Sequence, residues 1–155
     1  MSVSAEVLFL DPTAYHDEKP HTQVVGIRLP DGTEAHVFDG NRLLRAEAVG
    51  RRLILHLGVE RAEVEPLDAP RHGIEVLPED IGESLHLYGT VVEIERTTPS
   101  RNPAGQLRHR FWLDVGLGVV EVDAVVRRDR APAQPGDTVH VWGGRLDVRR
   151  MSPAL

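Results

Sequence analysis

QLRHRFWLDVGLGVVEVDAVV, residues 106–126, is the stretch that decides the fold. Phe111, Leu113 and Val115 alternate with polar or aromatic neighbours, and a second alternation follows the Gly-Leu-Gly turn at residues 116–118. Alternation with a period of two on both sides of a glycine turn is typical of a β-hairpin that has one apolar face and one face open to water or a ligand. The stretch therefore predicts a hairpin whose apolar face is part of a β-sheet core.

The same pattern occurs earlier in the chain, displaced by a constant 86 residues. Core-like positions and turn glycines correspond without a gap across two hairpin arms and a later strand, which favours a structural repeat. The corresponding pairs include Val25 with Phe111, Ile27 with Leu113, Gly32 with Gly118, Gly50 with Gly136 and Leu55 with Val141. The sequence therefore predicts two similar units.

The repeat sets the predicted domain organisation. Residues 1–65 form the first unit, with a short helix near residues 41–49 that a capping residue can begin and a glycine can end. Residues 66–83, punctuated by proline and glycine, form a linker. Residues 84–150 form the second unit, and residues 151–155 form a tail.

The order of elements resembles that of the oligonucleotide/oligosaccharide-binding (OB) fold. A long first strand, a hairpin, a connection and a closing pair of strands occur in residues 5–65 and 84–150, and the connection can be helical in the first of these stretches only. The resemblance implies an all-β protein with one short helix, made of two tandem five-stranded barrels packed together. The alternation is also compatible with one larger β-barrel or sandwich made from all the strands.

Composition excludes several classes of protein. The 41% hydrophobic and 27% charged residues are typical of a globular chain, and no apolar run approaches the roughly 20 residues of a membrane span. The N-terminus lacks the layout of a signal peptide, so we expect a cytoplasmic protein that does not contact a membrane. Cysteine is absent, which excludes disulfides and thiolate chemistry.

Charge is unevenly distributed along the chain. Residues 1–95 hold 8 Lys/Arg against 18 Asp/Glu, a net −10, whereas residues 96–155 hold 10 against 6, a net +4. Such asymmetry is typical either of an anion-binding end or of two surfaces of one protein that attract each other. Both interpretations remain open at this point.

Strand parity predicts a binding face on the second unit. If Phe111 and Leu113 face the core, the alternate residues of that strand face outward, and the same holds for the strand that contains Val139 and Val141. The OB resemblance implies that outward aromatic side chains stack bases while basic residues nearby contact phosphates. The candidate binding residues are Tyr88, Arg96, Arg101, Arg108, Arg110, Trp112 and Trp142.

The candidate face has two possible partners. One is a single-stranded nucleic acid, and the other is a protein surface, either of an adaptor partner or of a second copy in a homo-oligomer. No catalytic, metal-binding or cofactor motif is present, and we interpret His36, His56, His86 and His140 as packed or edge-exposed strand residues. We therefore expect a non-enzymatic binding protein without a metal or cofactor.

Overall fold

The computed structural model describes residues 2–16, 19–75, 85–99, 106–127 and 129–153. In these residues nearly all regular structure is β-strand, so the prediction of an all-β protein is confirmed. The strands are β1 (Val3–His16), β2 (Lys19–Arg28), β3 (Glu34–Asp39), β4 (Arg52–Pro66), β5 (Gly73–Glu75), β6 (His86–Pro99), β7 (Gln106–Asp114), β8 (Val119–Arg127), β9 (Thr138–Trp142) and β10 (Arg145–Pro153). Within the described ranges, no helix is long and apolar enough to cross a lipid bilayer.

The strands form one mixed sheet that closes on itself twice, and β4 belongs to both closures. The first ring runs β1, β2, β3, β10, β4 and back to β1. The second ring runs β6, β7, β8, β4, β9 and back to β6, with β5 paired to β6 at its side. Two five-stranded rings are therefore present, and each draws strands from both of the predicted units, 1–65 and 84–150. The first ring is not a regular barrel, because β3 and β10 meet at a single residue pair, Phe38 with Asp147.

Each ring takes its fifth strand from the other half of the sequence. β4 begins in the first ring, where residues 52–55 pair with β1, and ends in the second ring, where residues 63–66 pair with β9. β10 follows the last strand of the second ring but pairs with β4 and β3 in the first ring. Residues 151–153, which we expected to lie in a tail, continue β10, where Met151 pairs with Leu55.

The short helix expected near residues 41–49 is reduced to one turn of 3-10 helix, Ala46–Ala48. The buried carboxylate of Asp39 accepts hydrogen bonds from the backbone N–H groups of Leu43 and Leu44 and from the side-chain amide of Gln23. These bonds hold the chain in a turn where the first residues of a helix would begin. Only a few residues then remain before β4, which is too short for an α-helix.

The hairpin prediction for residues 106–126 is confirmed. β7 pairs with β8 along its whole length, and Phe111 lies opposite Val122 while Leu113 lies opposite Val120. All four of these side chains are fully buried inside the second ring. The alternate residues of β7 lie on the outer face, as parity predicted.

Candidate functional site

Three arginines meet on the outer face of the second ring, and we call Arg96, Arg108 and Arg110 the arginine cluster. Arg96 of β6 lies directly opposite Arg110 of β7, and Arg110 lies opposite Asp123 of β8. This alignment depends on irregular pairing in β6, whose register with β7 shifts between Val91 and Glu93 and again between Ile94 and Arg96. Bulges of this kind re-aim side chains at the edge of a sheet. Here they place Arg96 beside the other two arginines.

Asp123 organises the arginine cluster. Its carboxylate is only 4% exposed and accepts hydrogen bonds from Nε and Nη2 of Arg108 and, at 3.3 Å, from Nη2 of Arg110. Burial by itself raises the pKa of Asp123, but the hydrogen bonds and charges of Arg108 and Arg110 outweigh it and hold the pKa below its ordinary value. Asp123 is therefore ionised at neutral pH.

The cluster keeps a positive charge after these pairings. Arg110 also lies 3.6 Å from Glu121, and the charge of Glu60, which pairs with Arg149, acts on Arg108. With Arg149 included, three carboxylates face four guanidinium groups. Arg96 is exposed and has no ion pair among the described residues. Two arginines are thus held in place by a buried acid while a third is available to an anionic ligand.

Trp112 lies one row along β7 from the cluster. It is half-buried, and its neighbours across the strands are Glu93 of β6 and Glu121 of β8. On its other side is a groove of about 280 Å³, which Arg149 and Arg150 of β10 also line. Trp112 therefore lies where the outer face of the second ring approaches β10, the C-terminal strand that pairs in the first ring.

A second group of rings lies on another part of the outer face. We call Tyr88, His86, His140 and Trp142 the aromatic ladder. The ring of His140 stacks on Tyr88 at 4.7 Å, on Trp142 at 4.9 Å and on His86 at 5.1 Å between centroids. These residues belong to β6 and β9, where Tyr88 lies opposite His140 and His86 lies opposite Trp142.

Hydrogen bonds fix the orientation of the ladder. The carboxylate of Glu65 lies 2.8 Å from Nδ1 of His140, and Nε2 of His140 lies 2.8 Å from Nδ1 of His86. Glu65 accepts from Nδ1–H of His140, and the facing ring nitrogens of His140 and His86 share one hydrogen bond. The chain of hydrogen bonds therefore orients the rings, and among the described residues no group of three His, Cys, Asp or Glu side chains is arranged to hold a metal ion.

A cation already occupies one end of the ladder. The guanidinium carbon of Arg71 lies 3.6 Å from the centroid of the Tyr88 ring, and Arg71 also pairs with Glu75. Tyr88 is therefore covered by a residue of its own chain. A ligand would have to displace Arg71 to stack on this ring.

The structure groups the predicted site residues into two sets. Arg96, Arg108, Arg110 and Trp112 share one face, whereas Tyr88 and Trp142 belong to the ladder. On β6 the neighbours of the two tryptophans, Glu93 and His86, are seven residues apart, or roughly 20 Å at about 3.3 Å per residue. Arg101 lies outside the described residues.

Sequence reasoning missed several residues that shape these faces. Asp123 has the same outward parity as its neighbour Arg110, and that signal could have identified it. His86 and His140 have the parity of Tyr88 and Trp142, but we interpreted them as packed or edge-exposed strand residues and did not count them among the site residues. Glu65 gave no local signal, because the pairing of β4 with β9 joins residues that are 75 positions apart.

Neither a protein-family model nor a curated protein matches this chain.

Proposed function

We propose that the protein is a non-enzymatic binding protein whose second ring binds single-stranded nucleic acid through the arginine cluster and Trp112. The observation that carries the proposal is the placement of three arginines and a half-buried tryptophan in adjacent rows of one outer face. Guanidinium groups bind phosphate oxygens, and an indole stacks on any base. A positively charged strip with an aromatic side chain is what sequence-tolerant binding of a single strand requires.

The order of strands supports the proposed OB likeness. In the second ring, β6 pairs with both β7 and β9, β7 pairs with β8, and the fifth position is filled by β4. This is a closed five-stranded arrangement of the kind that OB domains use. The proposed ligand would lie on its outer face, across β6, β7 and β8.

The energetics favour weak, salt-sensitive binding. Stacking contributes about 1–3 kcal/mol per base, and each phosphate contact adds affinity that falls as salt rises. The chain as a whole carries a net charge of −6, so attraction is confined to the cluster and long-range steering is absent. We also propose, from the composition of the sequence, that the protein is located in the cytoplasm.

The test is a titration of fluorescently labelled nine-nucleotide thymidine and uridine strands, followed by anisotropy. We expect micromolar binding that weakens roughly twentyfold between about 50 mM and 200 mM salt, as about three phosphate contacts predict. Trp112→Ala and Arg96→Ala should each weaken binding several-fold. Arg52→Ala, an exposed arginine on the first-ring part of β4, is the matched control.

Two results would overturn the proposal. One is the absence of salt-sensitive binding at micromolar protein. The other is an effect of Arg96→Ala that equals that of Arg52→Ala, because binding would then depend on charge alone and not on the proposed face.

Self-association is the second candidate, and the mixed charge around Trp112 favours it. Glu93 and Glu121 flank the indole across the strands, and Arg149 lines the groove beside it. Such a surface could pair with a second copy through apolar contact and complementary charge. Light scattering after gel filtration would then give a dimer or larger species that Trp112→Ala dissociates, and a monomer would exclude this candidate.

A further inference from the structure

A cleft of about 220 Å³ opens on the outer face of the second ring, where the end of β8 meets β4 and β9. An indole, a carboxylate and two guanidinium groups line it, from Trp142, Glu63, Arg127 and Arg130. Glu63, Arg127 and Arg130 are not among the candidate binding residues predicted from the sequence. The lining thus combines a flat aromatic ring with charges of both signs.

The indole of Trp142 is held in a fixed position. Its ring stacks on His140, which Glu65 and His86 orient through hydrogen bonds of 2.8 Å. The cleft is lined by Trp142 and not by His140, so the ladder supports the indole from outside the cleft. A ring fixed in this way loses little conformational entropy when a flat ligand stacks on it.

The charges of the cleft do not neutralise one another. Glu63 lies directly opposite Trp142 in the pairing of β4 with β9. Glu63, Arg127 and Arg130 all line the cleft, yet the described residues include no ion pair that involves any of the three. The backbone N–H of Arg130 donates a hydrogen bond of 3.1 Å to the carbonyl of Arg127, which keeps the two residues close together. The cleft thus offers a carboxylate and two cations to one ligand.

The cleft adjoins the arginine cluster. Val125 of β8 lines the cleft and lies directly opposite Arg108 of the cluster. Directly opposed residues on neighbouring strands have Cβ atoms about 5 Å apart. A strand bound along the cluster can therefore continue past Val125 into the cleft.

We propose that this cleft holds one nucleotide of the bound strand and selects guanine, an inference that rests on the proposed function. The base stacks on Trp142, and Arg127 and Arg130 contact its phosphate. Guanine is the base whose Watson–Crick edge presents two adjacent N–H donors, N1–H and N2–H, and these match the two oxygens of Glu63. Adenine, cytosine and uracil or thymine each present one donor group beside an acceptor that a carboxylate repels.

The experiment compares two labelled nine-nucleotide strands, one of thymidine alone and one with guanine at the central position. Binding of both is measured by anisotropy to the unmodified protein, to Glu63→Gln and to Glu65→Gln. Glu65 is the matched control, because it lies two residues along β4 and orients His140 without lining the cleft. We expect the unmodified protein to bind the guanine strand at least about fivefold more tightly, the lower limit for a bidentate contact to a base. Glu63→Gln should remove this preference and leave thymidine binding in place, and Glu65→Gln should keep it.

The possible results distinguish a failure of guanine selection from a failure of the proposed nucleic-acid binding. If both strands bind the unmodified protein equally, guanine selection is wrong while the proposed function stands. The same holds if the preference survives in Glu63→Gln. If neither strand binds, the proposed function fails and the inference fails with it. The comparison of the two strands on the unmodified protein needs no variant, so it does not depend on how Glu63→Gln folds.

Discussion

Arg145 lies over the ring of Phe38, with its guanidinium carbon 3.7 Å from the ring centroid. Its Nε also donates a hydrogen bond of 2.8 Å to Asp147, the residue through which β10 meets β3. Burial raises the pKa of Asp147, and the charge of Arg145 opposes that rise. Arg145 therefore stabilises the point at which the C-terminal strand closes the first ring.

Replacing Arg145 with alanine should lower the free energy of unfolding by about 1 kcal/mol, the size of a partly exposed cation–π contact and hydrogen bond. Urea unfolding followed by circular dichroism measures the change. Arg150→Ala on the same strand is the control, because Arg150 is exposed and has neither an ion pair nor a ring contact among the described residues. Equal effects of the two variants would show that the contact with Phe38 does not stabilise the closure.

The exchange of strands should make the two rings unfold together. Ile27 of β2 is fully buried in the first ring, whereas both tryptophans of the protein lie in the second. Because β4 is shared, Ile27→Ala should lower the urea midpoint measured by tryptophan fluorescence as well as that measured by circular dichroism. The expected loss is about 2–5 kcal/mol, and Val49→Ala, at an exposed position, should cost less than about 0.5 kcal/mol. A fluorescence midpoint that does not move in Ile27→Ala would mean that the rings unfold independently.

Asp123 should contribute to the free energy of unfolding only at pH values at which its carboxylate is ionised. The pKa of Asp123 is lowered in the folded protein from its ordinary 3.8, so the contribution is complete above that value and is lost as the pH falls through the folded pKa. Asp123→Asn should cost about 1–2 kcal/mol at neutral pH, reduced by solvent screening because Arg108 is 40% exposed. The difference from the unmodified protein should shrink below about pH 4. Urea unfolding over a pH series tests this, with the exposed Asp68→Asn as the control, and a difference that does not depend on pH would contradict it.

His109 should make the protein less stable as the solution becomes mildly acidic. The ring is 1% exposed, its Nε2–H donates to the carbonyl of Ala133 at 2.9 Å, and its Nδ1 accepts from the hydroxyl of Thr97 at 2.6 Å. Burial lowers the pKa of His109 below its ordinary 6.5, and the bond to Ala133 opposes this only in part. The unfolded chain therefore binds a proton that the folded chain does not, and stability falls as the pH drops from about 6.5 towards the folded pKa.

His109→Gln should flatten this pH dependence, because an amide can keep both hydrogen bonds and does not titrate in this range. Thermal unfolding between neutral pH and the onset of carboxylate titration provides the measurement. His72→Gln, at an exposed position, is the control and should leave the slope unchanged. If His72→Gln flattened the slope as much as His109→Gln, burial of His109 would not be its cause.

The hairpin and its two faces could be predicted because they depend on near neighbours. Phe111 and Leu113 must lie on the buried side of β7, and the pleat then turns Arg110 and Trp112 outward. The prediction of a helix near residues 41–49 was less accurate, because contacts between residues far apart in sequence determine the conformation there. Gln23 and Asp39 form a buried pair that holds the turn, and no local pattern shows that pairing.

The sequence identified several residues of the candidate site, but it did not show which of them lie next to one another. Parity identified Arg110, Trp112, His140 and Trp142 as outward residues, but it does not say which outward residues share a neighbourhood. That depends on which strands lie side by side, and on the irregular register of β6 that brings Arg96 to Arg110. Parity also says nothing of Arg71, which comes from the connection between β4 and β5 and covers Tyr88.

The sequence by itself determined that this is an all-β protein and where its main hairpin lies, because alternation and turn glycines act over a few residues. Only the tertiary structure decided that β4 is shared and that β10 returns to the first ring. Backbone hydrogen bonds are the same for every residue except proline, so two strands with similar apolar alternation can fill the same position in a sheet. The choice between them is made by contacts such as that of Arg145 with Phe38, which join residues more than a hundred positions apart.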